Sequence, residues 1–339
     1  MHIYTYKRIL IIFSIYIATG FWICNGCHKD SSLDISDSGN MEVTREQAIP
    51  DSAVKVTPET DVWPPVIHSS EWSEPEPMPG PVNTAGVEDA PVISEDGSIF
   101  IFFFTPDGNV PAEDQILDKV TGIWWCIRNG EEWTEPERAY LAESNELHLD
   151  GPFAIQKNIL WFGSVRTGNY GEIDIYTAEL LDGVWKNWQN AGVQINQEFN
   201  AGELYLTADG SILIFQNFKG GLGRNDLWQT VKNDQDWTSP VNLNEPVNSA
   251  GDESRPFISS DGAELWFTRM ASGLGYPGPA IFRSVRNGNV WSEPEEIVSG
   301  YAGDPGLDDD GNLYFTHLFY DEAQNKIEAD IYVAYNNSK

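Results

Sequence analysis

The chain has 339 residues, room for one large domain or two ordinary ones, and carries 52 Asp and Glu against 20 Lys and Arg. The formal charge of −32 excludes binding to phosphate backbones, which requires clustered Lys and Arg. It suits a soluble exported domain, a cationic partner or a divalent metal.

The N-terminus reads as an address. Lys7-Arg8 precedes an uncharged apolar run from Ile9 to Cys24, then Asn25-Gly26-Cys27. A short basic region, an apolar stretch and a small residue before the cut describe a secretory signal over 1–26. Gly26 before Cys27 resembles a bacterial lipoprotein processing site. The resemblance implies lipidation of Cys27 and residence in the periplasm, the outer membrane or the cell surface. The other reading is an uncleaved membrane anchor, since the apolar run approaches spanning length. Residues 27–61, rich in Ser, Asp, Glu and Thr, read as a flexible tether.

From residue 62 to 339 one pattern recurs. Pro91-Val-Ile-Ser-Glu-Asp-Gly97, Leu204-Tyr-Leu-Thr-Ala-Asp-Gly210, Pro256-Phe-Ile-Ser-Ser-Asp-Gly262 and Pro305-Gly-Leu-Asp-Asp-Asp-Gly311 are each a short strand running into an Asp-Gly turn. Pro152-Phe-Ala-Ile-Gln-Lys-Asn158 is a degenerate copy. Asp and Gly tolerate the positive φ that tight hairpins require. The spacing, roughly fifty to sixty residues, is that of propeller blades and arrays. A third strand follows at Gly122-Ile-Trp124, Asp174-Ile-Tyr176, Asp226-Leu-Trp228, Ala280-Ile-Phe282 and Asp330-Ile-Tyr332. A fourth carries Trp133, Trp185, Trp237 or Trp291. The last repeat lacks its Trp strand, and the missing copy stands ahead of the first hairpin as Glu71-Trp-Ser-Glu-Pro75. The expectation is all-β: a five-bladed β-propeller of four-stranded antiparallel blades, its ring closed by an N-terminal strand. A monomer is expected. Cys126, the one Cys of the globular part, reads as a small buried hydrophobe.

Strand direction sorts the loops. Turns between strands one and two, and three and four, share one face. The longer connections share the other, where binding groups usually sit. An acid precedes each innermost strand on that long-loop face: Asp89 (with Glu88), Asp150, Glu203, Glu253 (with Asp252) and Asp304. Arg166, Lys219, Arg269 and His317 stand near the ends of the second strands. Such a ring could bind a polar ligand, hold a cation such as calcium, or pair adjacent blades. The Gly-rich loops after Arg166, Lys219 and Arg269 are not phosphate loops, because no helix follows to offer its amides. Neither a Ser-His-Asp set nor a zinc pattern is visible, so no catalytic or metal-binding residue is assigned.

The Ser-x-Asp-Gly hairpins, the Gly-rich loops and the Asp-Ile-Tyr strands together resemble the WD-repeat-like propellers of the TolB type, over roughly 71–335. That resemblance implies a non-catalytic envelope protein binding a protein or glycan at its channel mouth. Asp304-Pro-Gly-Leu-Asp-Asp-Asp-Gly-Asn-Leu-Tyr314 and Asp150-Gly-Pro-Phe153 look like segments of five-bladed arabinanase- and xylosidase-type glycoside hydrolases. That second resemblance implies a hydrolase or lyase at the acidic mouth, working through two carboxyl groups that flank the scissile bond.

Overall fold

A computed structural model describes residues 43–218, 220–234 and 236–338. The signal segment, Cys27 and Lys219 lie outside the described residues. Strands dominate, and no helix among the described residues is long and apolar enough to cross a membrane.

Each repeat forms an antiparallel sheet. Sheet I contains Val87–Ile93, Ile99–Thr105 and Gly122–Asn129, edged by Glu132–Trp133 and Glu137–Arg138. Sheet II contains Leu149–Gln156, Ile159–Val165, Asp174–Leu181 and Val184–Asn190. Sheet III runs from Leu204–Leu206 through Ile212–Asn217 and Asp226–Asn233, with Asp236–Trp237 and Val241–Asn242 outermost. Sheet IV contains Glu253–Ile258, Glu264–Arg269, Ala280–Asn287 and Glu295–Ser299, plus Val290–Trp291. Sheet V contains Ala302–Leu307, Leu313–Tyr320 and Lys326–Ala334. One parallel pair, Ala329 with Val87, joins sheet V to sheet I. The innermost strands pack on one another in succession, and that of sheet V packs on that of sheet I. This is β-propeller architecture.

Aromatic side chains fill the spaces between the sheets, where large rings bury much apolar area. Phe100, Phe102, Phe104, Phe162, Phe215, Trp266, Phe267 and Phe315 are all fully buried. Cys126 is buried among them, its thiol pushed up to about 12 by burial.

The segment before sheet I is tied down along its length. Glu76–Pro77 pairs antiparallel with Val333 and Tyr332, and Trp72 bridges Asn336. Val66–Ile67 adds a strand to the outer edge of sheet IV. Residues 43–61, expected as part of a tether, are docked. Thr44 caps the helix Arg45–Ala48 in a reciprocal box with Gln47, Arg45 is buried, and Val56 joins the core. Composition suggested disorder because 27–61 is polar. A few anchoring side chains outweigh it, and residues 43–61 pack on the sheets where a free tether was expected.

Candidate functional site at the channel mouth

Each innermost strand except that of sheet III opens with a bulge beside the channel. Register shifts between Asp89 and Val92, Pro152 and Ala154, Ser254 and Phe257, and Gly303 and Gly306. In three of them the residue before the proline is left-handed: Ala90 at φ 51°, Arg255 at 52° and Asp304 at 58°. Such bulges re-aim a side chain, and non-glycine residues at positive φ cluster at functional sites. The bulges line a small pocket walled by Phe153, Tyr205 and prolines, with Glu203, Arg255 and Asp304 supplying its charge.

The sequence-predicted acids divide into two groups. Asp150, Glu253 and Glu88 are sealed. Asp150 accepts from His148 Nδ1 at 2.6 Å and Arg166 Nη2 at 2.9 Å. Burial works to raise its pKa, but the His148 bond and charge, Arg166 and Ser164 bring it down to about 2. Glu253 accepts from Arg269 Nε at 2.8 Å and from the Ser249 hydroxyl at 2.6 Å. Glu88 accepts from the Thr84 hydroxyl at 2.6 Å and the Thr84 amide at 3.0 Å, with Arg45 at 3.3 Å. Burial and the charge of Asp330 still raise it to about 7. Arg166 and Arg269 therefore hold acids of their own sheets. His317 Nε2 meets Asp61 of the N-terminal segment at 2.9 Å.

The second group meets in the channel. Arg255 Nε lies 3.0 Å from Glu203 and 3.1 Å from Asp304. Asp89 and Asp304 share the Thr316 hydroxyl, at 2.9 and 3.4 Å. Burial raises Glu203 to about 7, opposed by Arg255 and reinforced by Asp89. Burial also lifts Asp304 well above the carboxylate range, opposed by Arg255. Sequence reading missed Arg255. Its signal was available as the one cation among the residues that precede prolines at the channel strands: Ala90, Gly151, Arg255 and Asp304. Among the described residues no group of three or more His, Cys, Asp or Glu is placed to hold a metal.

Around the mouth, the Gly-rich loops present apolar tips: Tyr170, Leu222 and Leu274 are 53%, 49% and 59% exposed. Each loop is clamped by a carboxylate. Asp174 accepts from the Tyr170 and Gly171 amides, and Asp226 from those of Leu222 and Gly223. Sheet IV has Ala280 at that position, which threatened the clamp. Glu296, on the neighbouring strand where sheets II and III carry Asn190 and Asn242, accepts from Gly273 and Leu274 instead. The carboxylate has moved across one strand pair and the clamp survives.

No family model matches the chain, and no curated protein does. Solved structures similar to it include a thermostable family-43 glycoside hydrolase, at 13% identity over 76% of this chain and 90% of that one, TM-score 0.47. Another is a putative TolB from Agrobacterium tumefaciens, at 14% identity over 74% and 91%, TM-score 0.40. A subtype N11 neuraminidase-like protein of a flat-faced bat isolate shows 10% identity over 82% and 94%, TM-score 0.36. None of them lends this chain an activity.

Proposed function

We propose that the chain is an exported envelope protein, lipid-anchored at Cys27, whose five-bladed propeller binds a protein or glycan partner through its long-loop face without catalysis. Closure by the N-terminal strand is supported by a repeated clasp. Asn196 and Asn248 each bond both the amide and the carbonyl of a third-strand residue in the preceding sheet, Ile175 and Leu227. Asn83, ahead of sheet I, does the same to Ile331 of sheet V. The linker into the first sheet thus behaves as though it followed the last.

The observation that carries the non-catalytic reading is Arg255. Hydrolysis requires two carboxyl groups with the scissile bond between them. Here the guanidinium occupies the gap between Glu203 and Asp304, and Asp150 and Glu253 are sealed by their own arginines. Contact with a partner then falls to the clamped loop tips. The test is to cross-link the intact, membrane-attached protein through Leu222 and Leu274, and to assay it against a glycan panel. One discrete partner that Leu222→Ser and Leu274→Ser abolish supports the reading. Glycan turnover that Glu203→Gln abolishes overturns it.

A glycoside hydrolase remains the second reading, favoured by one observation. Glu203 and Asp304, both raised by burial, face an aromatic-walled pocket, the setting in which a carboxyl is kept protonated for acid catalysis.

A further inference from the structure

Arginine slots recur on the long-loop face, and one of them is filled from outside its sheet. In sheet II, Arg166 lies over Phe162 and Tyr176 and donates to Asp150 and the Leu141 carbonyl. In sheet IV, Arg269 lies over Phe267 and Phe282 and donates to Glu253 and the Val247 carbonyl. Sheet I has the same furniture in Phe102, Trp124, Glu88 and the Val82 carbonyl, but Phe104 and Pro106 stand where those sheets carry arginine. Arg45 enters from the N-terminal segment. It donates to Val82 and Pro81 at 2.7 Å each, lies 3.3 Å from Glu88 and stacks over Phe102, Phe104 and Trp124.

We propose that sheets I and V together carry a built binding site for an arginine-bearing peptide segment, and that residues 43–61 are its resident occupant. The segment is held as a bound peptide is held. It adds no strand to either sheet before Val66, and its contacts are separate side-chain anchors. Arg45 fills the slot of sheet I. Lys55 pairs with Asp330 and Glu328, the Val56 amide donates to Glu328 at 2.8 Å, and Asp61 meets His317. Between these anchors Asp51, Ser52, Val54 and Glu59 are exposed.

The occupant also leaves part of the seat unused. Beneath it His317 Nδ1, Glu328 Oε2 and the Tyr332 hydroxyl are buried without partners, a rare condition for buried polar atoms. Three carboxyl groups, those of Glu88, Glu328 and Asp330, face the two cations Arg45 and Lys55 in the seat. The ligand chemistry is therefore a segment presenting a guanidinium and, about ten residues later, an ammonium, with further donors accommodated. The site and its occupant stand whether or not the face has an outside partner. If it has one, the seat favours a basic protein segment over a neutral glycan.

The test uses the full chain carrying Arg45→Ala and Lys55→Ala, which empties the anchors, and a fluorescent synthetic peptide of residues 43–61. The peptide should bind this variant at least ten-fold more tightly than it binds the wild-type chain, whose own segment competes at an effective concentration on the order of millimolar. A peptide with Arg45→Gln should bind at least ten-fold more weakly than the natural one. Binding that ignores Arg45, or no binding to a variant that circular dichroism shows to be folded, overturns the proposal. If the double variant does not fold, Arg45→Lys alone replaces it. That change keeps the charge but loses the planar fork, and the same comparison of peptides applies.

Discussion

Raising the pH should destabilise this protein across a range where most proteins are indifferent. Glu88 and Glu203 are both fully buried, and burial lifts each from 4.5 to about 7. A carboxyl whose folded pKa exceeds its unfolded value binds its proton more tightly in the folded state. Its favourable contribution is complete below 4.5 and is lost as pH rises through 7. Between pH 5 and 8 each group costs about 2 kcal/mol, or on the order of 5 °C in Tm for a chain of this size. Asp150 acts oppositely, since its pKa is depressed to about 2 and its stabilisation disappears only as pH falls from 3.8 toward 2. Stability should therefore peak near pH 5 and decline toward 8. Thermal unfolding followed by circular dichroism at half-unit intervals measures this. Glu328 is raised to about 7 as well, and Asp304 and Asp330 are raised in the same direction, so Glu203→Gln, which imitates the protonated form, should remove a measurable part of the decline and not all of it. A Tm that rises from pH 5 to 8, or a slope that Glu203→Gln leaves untouched, refutes the argument.

Further outcomes follow from the same geometry. Glu296→Asn should loosen the loop that carries Leu274, with about 1–2 kcal/mol lost and faster amide exchange at Gly273 and Leu274. Adding Ala280→Asp should restore both, and a double-mutant cycle with no coupling would show that the two positions do not share the clamp. Asp150→Asn should cost about 3–5 kcal/mol, measured by urea unfolding, because it strips the buried Arg166 of its charge partner. Gly223→Ala should be more disruptive than its exposed loop suggests. A Cβ there would stand 1.7 Å from the Gly251 carbonyl oxygen, so thermal unfolding should shift by several degrees, whereas Gly220→Ala meets nothing within 4 Å and is strained only by its φ of 77°.

Much of the architecture was legible because hairpin chemistry is local. Asp-Gly turns, Trp strands and the displaced Glu71-Trp-Ser-Glu-Pro75 copy announce themselves within a few residues, and Glu76–Pro77 does pair with the strand that carries Tyr332. Even Lys157, without Asp or Gly beside it, adopts the left-handed conformation its turn requires, at φ 58°. The candidate site was only half legible. All the acids were visible, but position before a strand does not tell which are sealed. That depends on whether an arginine reaches the acid, from its own sheet as Arg166 and Arg269 do, or from a distant segment as Arg45 does for Glu88.

The docked segment shows where reading by composition fails. Over residues 43–61 the mean polarity is high, yet stability there rests on four side chains, those of Arg45, Lys55, Val56 and Asp61, and averages do not register four residues. A repeat, however, predicts its own deficits. Once Arg166 and Arg269 are seen to fill equivalent slots, Phe104 in sheet I becomes a vacancy that some cation must supply from elsewhere. The Ala329–Val87 pair is the seam between sheets I and V, and neither of these sheets has both a preceding and a following sheet along the chain to serve its two sides. The N-terminal segment is the chain nearest that seam, and Arg45 and Lys55 are the cations it brings. The gap in the repeat and the position of the seam together specify the occupant, although neither does so alone.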